Sequence, residues 1–239
     1  MESRFRYLGG GRWVVEKMTR WVELAGRVLF PHFCLSCGLE DQLLCDLCKM
    51  QYALNRGVLF SVAADLETVR CFSAGRYADM VLRSLLHQYK YGRVQEAGEL
   101  MTDFFLRVVS RQITAILSGL EEPIVVPVPM SPINLAQRGF NQTEIFARAL
   151  AGDFELELDK KTLQRRFAWR PQAHLSEPQK RIKNVSGAFF VRSGDVSLVD
   201  REVILVDDVF TTGATIIECV RVLRSSGVKK IVIVTVLKG

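Results

Sequence analysis

The fold of this chain is decided by one stretch of sequence, VILVDDVFTTGAT, which runs from Val203 to Thr215. Four apolar residues of strand type lead into two acids, Asp207 and Asp208, and the chain then turns through threonines and Gly213. Apolar residues at helical spacing follow the turn, so the stretch predicts a strand, a loop and an amphipathic helix. Such a unit is typical of α/β proteins, in which helices cover a parallel sheet.

The predicted loop has the composition of an anion-binding site. Gly213 allows the backbone to approach an anion closely, and Thr211, Thr212 and Thr215 add hydroxyl groups beside the unpaired amides of the first helical turn. A phosphate monoester fits this loop, and a ribose ring would separate the phosphate from the two acids while offering them two hydroxyls. The stretch therefore indicates a ribose phosphate ligand. In the alternative reading, the acids only complement the helix N-terminus and the threonines only cap it.

The chain from residue 61 onwards has the pattern of the same fold class. Short apolar runs alternate with amphipathic segments, which predicts an α/β domain with a parallel sheet over residues 61–239. The apolar runs predict strands over residues 70–77, 124–126, 203–206 and 231–237. Helical spacing predicts a short helix from residue 81, a longer one that ends near residue 117, and two more over residues 143–150 and 215–225.

Four cysteines in the first fifty residues have the spacing of a metal site. Cys34, Cys37, Cys45 and Cys48 form two CxxC pairs separated by seven residues, and two such pairs supply the four thiolates that Zn2+ prefers. Two disulfides are the alternative, which the expected reducing compartment disfavours. We therefore expect a small zinc-binding module over residues 1–60, which begins with a helix whose apolar spacing ends at Pro31.

Composition excludes several classes of protein. With 49% hydrophobic and 24% charged residues among 239, the chain can bury one full domain core and is not disordered. No segment reaches the roughly 18 uncharged apolar residues that a membrane span needs, so no membrane insertion is expected. No secretory signal is readable in the first residues, so we expect a cytoplasmic protein. The net charge of +6 favours polyanionic partners.

The basic residues are concentrated between residues 160 and 192, where nine basic side chains accompany a single acid, Glu177. Two aromatic residues interleave with the first basic group, which suits base stacking and backbone pairing with single-stranded nucleic acid. A solvated basic face is the alternative. The candidate nucleic-acid residues are Lys160, Lys161, Arg165, Arg166, Phe167, Trp169 and Arg170.

The stretch from Val203 to Thr215 resembles the motif with which type I phosphoribosyltransferases bind phosphoribosyl pyrophosphate (PRPP). The resemblance implies a Rossmann-like fold, a ribose diol held by the two acids, and Mg2+ bound together with PRPP. It places the 5′-phosphate on Thr211, Thr212, Gly213, Ala214 and Thr215. Further pieces narrow the likeness to the ComF-type competence proteins, namely the cysteine pairs, QYKYGR from Gln88, VPVPMSP from Val126, QRGFNQ from Gln137 and QAHLSEPQKRIKNVSGAF from Gln172.

These further pieces imply a pyrophosphate site with a loop beside it. The candidates for pyrophosphate binding are Met130, Ser131 and Lys90. A flexible loop that closes over the ligand is expected at Gly139, Asn141 and Gln142. The candidates for catalysis are Asp207, Asp208 and Arg138, with Arg138 as the cation that neutralises pyrophosphate. Three alternatives stay open. VPVPMSP is also compatible with a proline-stiffened turn, Asn141 with a helix N-cap, and Lys90 with complementation of a helix dipole.

Two functional hypotheses follow from these resemblances. The first is a ComF-like competence protein for DNA uptake in natural transformation, whose PRPP-binding domain acts on imported single-stranded DNA or on an unidentified acceptor. The resemblance implies a competence helicase as its partner. The second is a metabolic, Mg2+-dependent phosphoribosyltransferase, similar to amidophosphoribosyltransferases or nucleobase salvage enzymes, without a DNA role. Thr211 stands where purine-salvage members of the superfamily carry an acid, which counts against purine salvage.

Overall fold

The structure is a computed structural model, and it describes residues 33–64, 67–92, 94–166, 185–192 and 197–239. The chain divides into two compact units, a small one that ends at Cys48 and a large one from Lys49 to Gly239. Among the described residues, no helix is both long and apolar enough to span a membrane. Outside the described residues lie the helix predicted before Pro31 and three candidate nucleic-acid residues, Phe167, Trp169 and Arg170.

The elements of the described residues follow the alternation that the sequence predicts. In chain order they are α1 (Asp46–Ala53), β1 (Val58–Ala64), β2 (Glu67–Arg76), α2 (Met80–His87), a π-helical turn (Gln88–Gly92), α3 (Gln95–Leu117), β3 (Ile124–Pro127), α4 (Pro132–Arg138), α5 (Gln142–Asp153), β4 (Leu163–Arg165), β5 (Phe189–Val191), β6 (Glu202–Phe210), α6 (Ala214–Ser225) and β7 (Lys230–Lys238).

Five of the strands form one sheet in the order β1-β2-β7-β6-β3. Strands β2, β7, β6 and β3 pair in parallel, whereas β1 pairs antiparallel to β2 at one edge. The predicted α/β class with a parallel sheet is thus confirmed, and the antiparallel edge strand is an addition that the prediction lacked. Strands β4 and β5 form a separate antiparallel pair.

Helical layers bury both faces of the sheet, as expected for parallel strands made of continuous apolar residues. On one face, Val203 and Leu205 of β6 pack in a core with Ile216 and Cys219 of α6 and with Phe189 of β5. Helix α5 packs against β3 and β6, and α3 packs against α5 and β2. Residues 203–206 are fully buried between these layers, which accounts for the apolar run that precedes the acids.

The strand that carries the acids is longer than predicted. Instead of ending at residue 206, β6 continues to Phe210, because Asp207, Val209 and Phe210 pair with the parallel strand β7. The two acids therefore occupy the last part of a strand and do not follow it. They still lie at the carboxyl end of the sheet, where α/β folds place their ligand sites.

Candidate functional site

The loop after β6 is shaped by Gly213. This residue has a φ of +77°, a left-handed conformation that favours glycine, and a Cβ built there would lie 2.7 Å from Cζ of Phe210. Gly213 is the N-cap of α6 and offers no side chain to the first helical turn. Thr212 Oγ1 accepts a long hydrogen bond of 3.5 Å from the amide of Ala214. The helix therefore begins with amide groups that face the loop, an arrangement that suits an anion.

A cavity of about 300 Å3 lies over this loop. Its wall contains Asp207, the residues from Val209 to Ile216, and two residues from outside the stretch, Arg165 and Val185. The structure thus brings together one of the two predicted acids and all five predicted phosphate residues. Neither Arg165 nor Val185 was predicted to belong to this site, because they lie 46 and 26 positions before Thr211 and no local pattern links them to the loop.

Asp207 lies in a polar but poorly solvated place. Its Oδ1 accepts a hydrogen bond of 2.8 Å from the amide of Asp208 and one of 3.5 Å from the hydroxyl of Thr143 on α5. Burial raises the pKa of Asp207 to about 7, and the neighbouring charge of Asp208 adds to the rise. Thr143 was not predicted as a site residue, since its contact with the acid depends on how α5 packs against β6.

Asp208 is held by a cation. Lys90 Nζ lies 2.6 Å from Asp208 Oδ2, and both side chains are largely buried, with 15% of each exposed. Lys90 belongs to the π-helical turn that follows α2, so the turn delivers its side chain to the carboxyl end of β6. The sequence predicted Lys90 for a pyrophosphate group. The structure places it on the acid pair, and a role toward pyrophosphate stays a prediction.

The segment after β3 lies beside the acids. The amide of Val128 donates a hydrogen bond of 2.8 Å to the carbonyl of Val206, the residue before Asp207. Met130 and Ser131 follow and are half-buried. Ser131 is the N-cap of α4, because its Oγ accepts a hydrogen bond of 3.2 Å from the amide of Asn134.

The residues predicted as a flexible loop connect α4 to α5. Gly139, with a φ of +84°, ends α4, and Asn141 is the N-cap of α5, where its Oδ1 accepts from the amide of Thr143 at 3.2 Å. The helix-cap alternative for Asn141 is therefore present in the structure. Gln142 is fully buried and accepts a hydrogen bond of 3.1 Å from Arg138. A closing motion of this segment stays a prediction.

Arg138 is anchored by two contacts. Besides its hydrogen bond to Gln142, its guanidinium lies 4.8 Å from the centre of the Tyr91 ring. Tyr91 belongs to the same π-helical turn as Lys90. The two cations that the sequence predicted for pyrophosphate, Lys90 and Arg138, are therefore both linked to one short turn of the chain.

The basic residues of the predicted nucleic-acid surface are not equivalent. Lys160, Lys161 and Arg166 are all exposed, and Lys160 pairs with Glu144 at 2.8 Å. Arg165 stacks over the ring of Phe189, with 5.1 Å to its centre, and lines the cavity over the loop after β6. The density of positive charge in the sequence grouped these residues, but the fold separates Arg165 from the exposed ones.

The small unit contains the four cysteines as one cluster. Their Sγ atoms all lie within 4.8 Å of one another, and those of Cys37 and Cys45 are 3.6 Å apart. Sulfurs bound to one Zn2+ at about 2.3 Å in a tetrahedron would be roughly 3.8 Å apart. The amide of Cys45 also donates a hydrogen bond of 3.4 Å to Cys34 Sγ. The residues present therefore fit a single tetrahedral metal ion.

The C-terminal part of the chain matches a known domain family. Residues 135–239 match the model of the phosphoribosyl transferase domain. This part of the chain contains α5, the antiparallel pair of β4 and β5, and the whole unit of β6, loop and α6. The predicted phosphate loop and both predicted acids thus lie inside the matched region.

Two relatives extend the likeness beyond that domain. The DNA utilization protein YhgH of Escherichia coli strain K12 is 30% identical over 149 residues, which cover 61% of this chain and 62% of that protein. The competence protein ComFC of Streptococcus pneumoniae strain R6 is 33% identical over 130 residues, 54% of each chain. The chain therefore spans less than two thirds of the length of the curated relatives it matches. A hypoxanthine phosphoribosyltransferase structure from Staphylococcus aureus is 15% identical, with a TM-score of 0.38 over 59% of this chain and 64% of that one.

Proposed function

We propose that the large unit binds PRPP and transfers its phosphoribosyl group to an acceptor, with release of pyrophosphate. One observation carries this proposal. A cavity of about 300 Å3 joins Asp207 to the loop Thr211–Thr215 at the carboxyl end of a parallel strand, inside a region that matches the phosphoribosyl transferase domain. Because Asp207 and the loop line one cavity, a ribose 5-phosphate could meet the acid with its hydroxyls and the loop with its phosphate.

In this proposal the residues bind and orient the sugar while the bonds change. The amides and hydroxyls of Thr211–Thr215 hold the 5′-phosphate, and Asp207 and Asp208 accept hydrogen bonds from the ribose hydroxyls. The acceptor forms a bond to C1 of the ribose as the bond from C1 to pyrophosphate breaks, and the acceptor's proton passes to the solution. Arg138 and Lys90 are the cations that offset charge on the leaving pyrophosphate.

Mg2+ is the metal that this chemistry would use. Among the described residues, only the cysteine cluster brings together three or more side chains that could ligate a metal ion. Asp207 and Asp208 alone therefore do not form a complete metal site. That fits a Mg2+ ion bound mainly through substrate phosphate oxygens, as is usual for this metal. Bound in this way, Mg2+ would neutralise part of the pyrophosphate charge.

The binding step is tested by thermal unfolding with and without PRPP and Mg2+. A ligand at a hundred times its dissociation constant stabilises the native state by about 2.7 kcal/mol. The shift should disappear when both acids are replaced, in Asp207→Asn with Asp208→Asn. The transfer step is tested by measuring pyrophosphate release in the presence of nucleobases, amines and single-stranded DNA. Stabilisation of the wild type without any release would leave a PRPP-binding protein and contradict the transfer step.

We further propose that the chain acts on imported single-stranded DNA. The names of the relatives, a DNA utilization protein and a competence protein, support this role. So do Lys161 and Arg166, two exposed cations. The alternative is a metabolic phosphoribosyltransferase without a DNA role. A competence helicase as partner and a cytoplasmic location stay predictions.

The DNA role is tested by fluorescence anisotropy with labelled single-stranded DNA over a series of salt concentrations. Binding should weaken as salt rises, because phosphate contacts release counterions. Lys161→Ala with Arg166→Ala should weaken binding and reduce the salt slope by about one for each DNA phosphate that is no longer neutralised. Lys229→Ala removes an exposed cation next to the amino end of β7 and serves as the control. Absent or salt-insensitive binding by the wild type would favour the metabolic alternative, and equal affinity in all three proteins would show that Lys161 and Arg166 do not contact the DNA.

The cysteine cluster is proposed to hold one structural Zn2+. Four thiolates without a water ligand form a closed site, which suits a structural and not a catalytic metal. A unit this small buries little apolar surface, so metal binding would supply much of its folding free energy.

A further inference from the structure

The cavity over the phosphate loop is lined by Arg165, a residue that the sequence grouped with the nucleic-acid candidates. Arg165 is the last residue of β4, and its cross-strand partner in β5 is Phe189. The guanidinium stacks over the Phe189 ring, with 5.1 Å to the ring centre. Phe189 is itself buried against α6, the helix that starts at the loop. The pairing of β4 with β5 therefore holds Arg165 beside the same cavity that Thr211–Thr215 line.

The charge of Arg165 is not neutralised by an ion pair within the described residues. No carboxylate there lies within 4.0 Å of its guanidinium, whereas other arginines of the large unit, such as Arg148 and Arg201, pair with acids at 2.8 and 2.9 Å. Arg165 is also half-buried, and burial lowers the pKa of its guanidinium while the charge of Asp207 partly offsets this. A poorly solvated cation without a counter-ion is unfavourable unless a ligand supplies the negative charge.

The next residue, Arg166, has a similar aromatic contact but differs from Arg165 in its exposure. Arg166 stacks over Phe190, with 5.3 Å to the ring centre, so the two arginines have the same kind of aromatic support. Arg166, however, is exposed and is not among the residues that line the cavity. Arg166 follows the last residue of β4, but its amide still donates a hydrogen bond of 2.7 Å to the carbonyl of Ala188, so the extended pairing continues. Successive side chains of such a backbone point to opposite sides. The fold thus directs one of two adjacent arginines toward the phosphate loop and the other toward solvent.

The loop itself has no cation. Between Phe210 and Ile216 the chain contains threonines, Gly213 and Ala214, and these offer amides and hydroxyls but no positive charge. The nearest acid in the cavity, Asp207, makes the local potential less favourable for an anion. A phosphate monoester carries close to two negative charges at neutral pH. A cation in the wall would therefore be needed for tight binding.

We propose that Arg165 is a ligand-binding residue of the phosphate-loop cavity, where its guanidinium pairs with the phosphate monoester held by Thr211–Thr215. This inference rests on the proposed function, because the monoester is then the 5′-phosphate of PRPP. It assigns Arg165 to sugar-phosphate recognition and separates it from the exposed Arg166. The site then selects ribose phosphates over uncharged ribosides through one arginine outside the recognised sequence motif.

The experiment uses calorimetric titration of the full chain with ribose 5-phosphate, with ribose as the uncharged reference. Arg165→Gln keeps a planar group over Phe189 and removes the charge, and Arg166→Gln makes the same change on the exposed neighbour. Removing a charge-assisted, bidentate interaction should weaken ribose 5-phosphate binding about tenfold or more in Arg165→Gln. Arg166→Gln should bind within about twofold of the wild type. Arg165→Lys should recover part of the affinity, since it restores charge without the fork.

Each outcome has a defined meaning. If Arg165→Gln binds ribose 5-phosphate within twofold of the wild type, the inference is overturned. It is also overturned if Arg165→Gln binds PRPP more weakly but ribose 5-phosphate as the wild type does, because Arg165 would then contact another part of PRPP. If Arg165→Gln does not fold by circular dichroism, Arg165→Lys decides, and affinity equal to the wild type then overturns the inference. A wild type that binds neither PRPP nor ribose 5-phosphate refutes the proposed function itself, and the inference with it.

Discussion

The ion pair between Lys90 and Asp208 offers a quantitative test of how the two acids are held. The charged atoms are 2.6 Å apart, and each side chain keeps only 15% of its exposure. Removing one partner of a buried ion pair costs about 3–5 kcal/mol, because the remaining charge is left uncompensated in a poorly solvated place. Both side chains keep some solvent contact, so we expect Lys90→Met to lower the free energy of unfolding by about 3 kcal/mol.

A second effect acts in the same direction. Burial raises the pKa of Asp207, the charge of Asp208 raises it further, and the charge of Lys90 lowers it. Without Lys90, the two neighbouring acids repel each other with less compensation, and Asp207 holds its proton to a higher pH. The loss of stability in Lys90→Met should therefore grow as the pH rises above neutrality, where both acids must be ionised.

The assay is urea unfolding followed by far-UV circular dichroism. Arg107→Met is the control, since it breaks a pair with Asp103 at 2.8 Å whose side chains are 59% and 50% exposed. We expect that exposed pair to contribute about 0.3–0.5 kcal/mol. The double variant Lys90→Met with Asp208→Asn removes both charges and should recover most of the loss. A Lys90→Met loss no larger than that of Arg107→Met, or no recovery in the double variant, would refute this reasoning.

Three further predictions concern other parts of the account. Between about pH 4 and pH 7, Asp207 in the native protein holds a proton that the unfolded chain has released. The free energy of unfolding of the wild type should therefore fall with rising pH relative to that of Asp207→Asn. A difference between the two proteins that is constant with pH would contradict this. Gly213→Ala should lower the free energy of unfolding by about 1–3 kcal/mol, because residue 213 has a φ of +77° and a Cβ there would contact Phe210. The control Gly152→Ala in helix α5, where a Cβ meets nothing within 4 Å, should raise it slightly. Equal effects of the two variants would count against a strained loop. Elemental analysis should find one zinc per chain and none in Cys45→Ser, and zinc retained in that variant would argue against the four-thiolate site.

The central strand, loop and helix could be predicted because each depends on local sequence. An apolar run, a glycine in the turn and a helical apolar spacing are all readable between Val203 and Ser225, and the structure contains the strand, the left-handed Gly213 and the helix. The end of β6 could not be located, since it depends on how far β7 continues to pair with it. Strand β1 was missed because apolar Leu59 and Ala63 obscure the alternation in its sequence; only the structure shows Val58, Phe60 and Val62 less exposed than the residues between them.

The partners of the acids could not be predicted for a different reason. Thr143 and Lys90 reach Asp207 and Asp208 from elements that lie 64 and 118 positions earlier in the chain, and no local pattern encodes such contacts. The density of positive charge in the sequence led to a different error, because it grouped Arg165 with Arg166 although the fold separates them. The alternation of side chains along a strand separates them, and that alternation could be applied only once the short strand β4 was known.

The most direct test of the whole account is a crystal structure of the chain grown with PRPP and Mg2+. We expect the ribose hydroxyls within hydrogen-bond distance of the Asp207 and Asp208 carboxylates, and the 5′-phosphate in contact with the amides of the loop Thr211–Thr215. Ligand density at another place, or a cavity that stays without ligand at saturating PRPP, would contradict the assignment of this site.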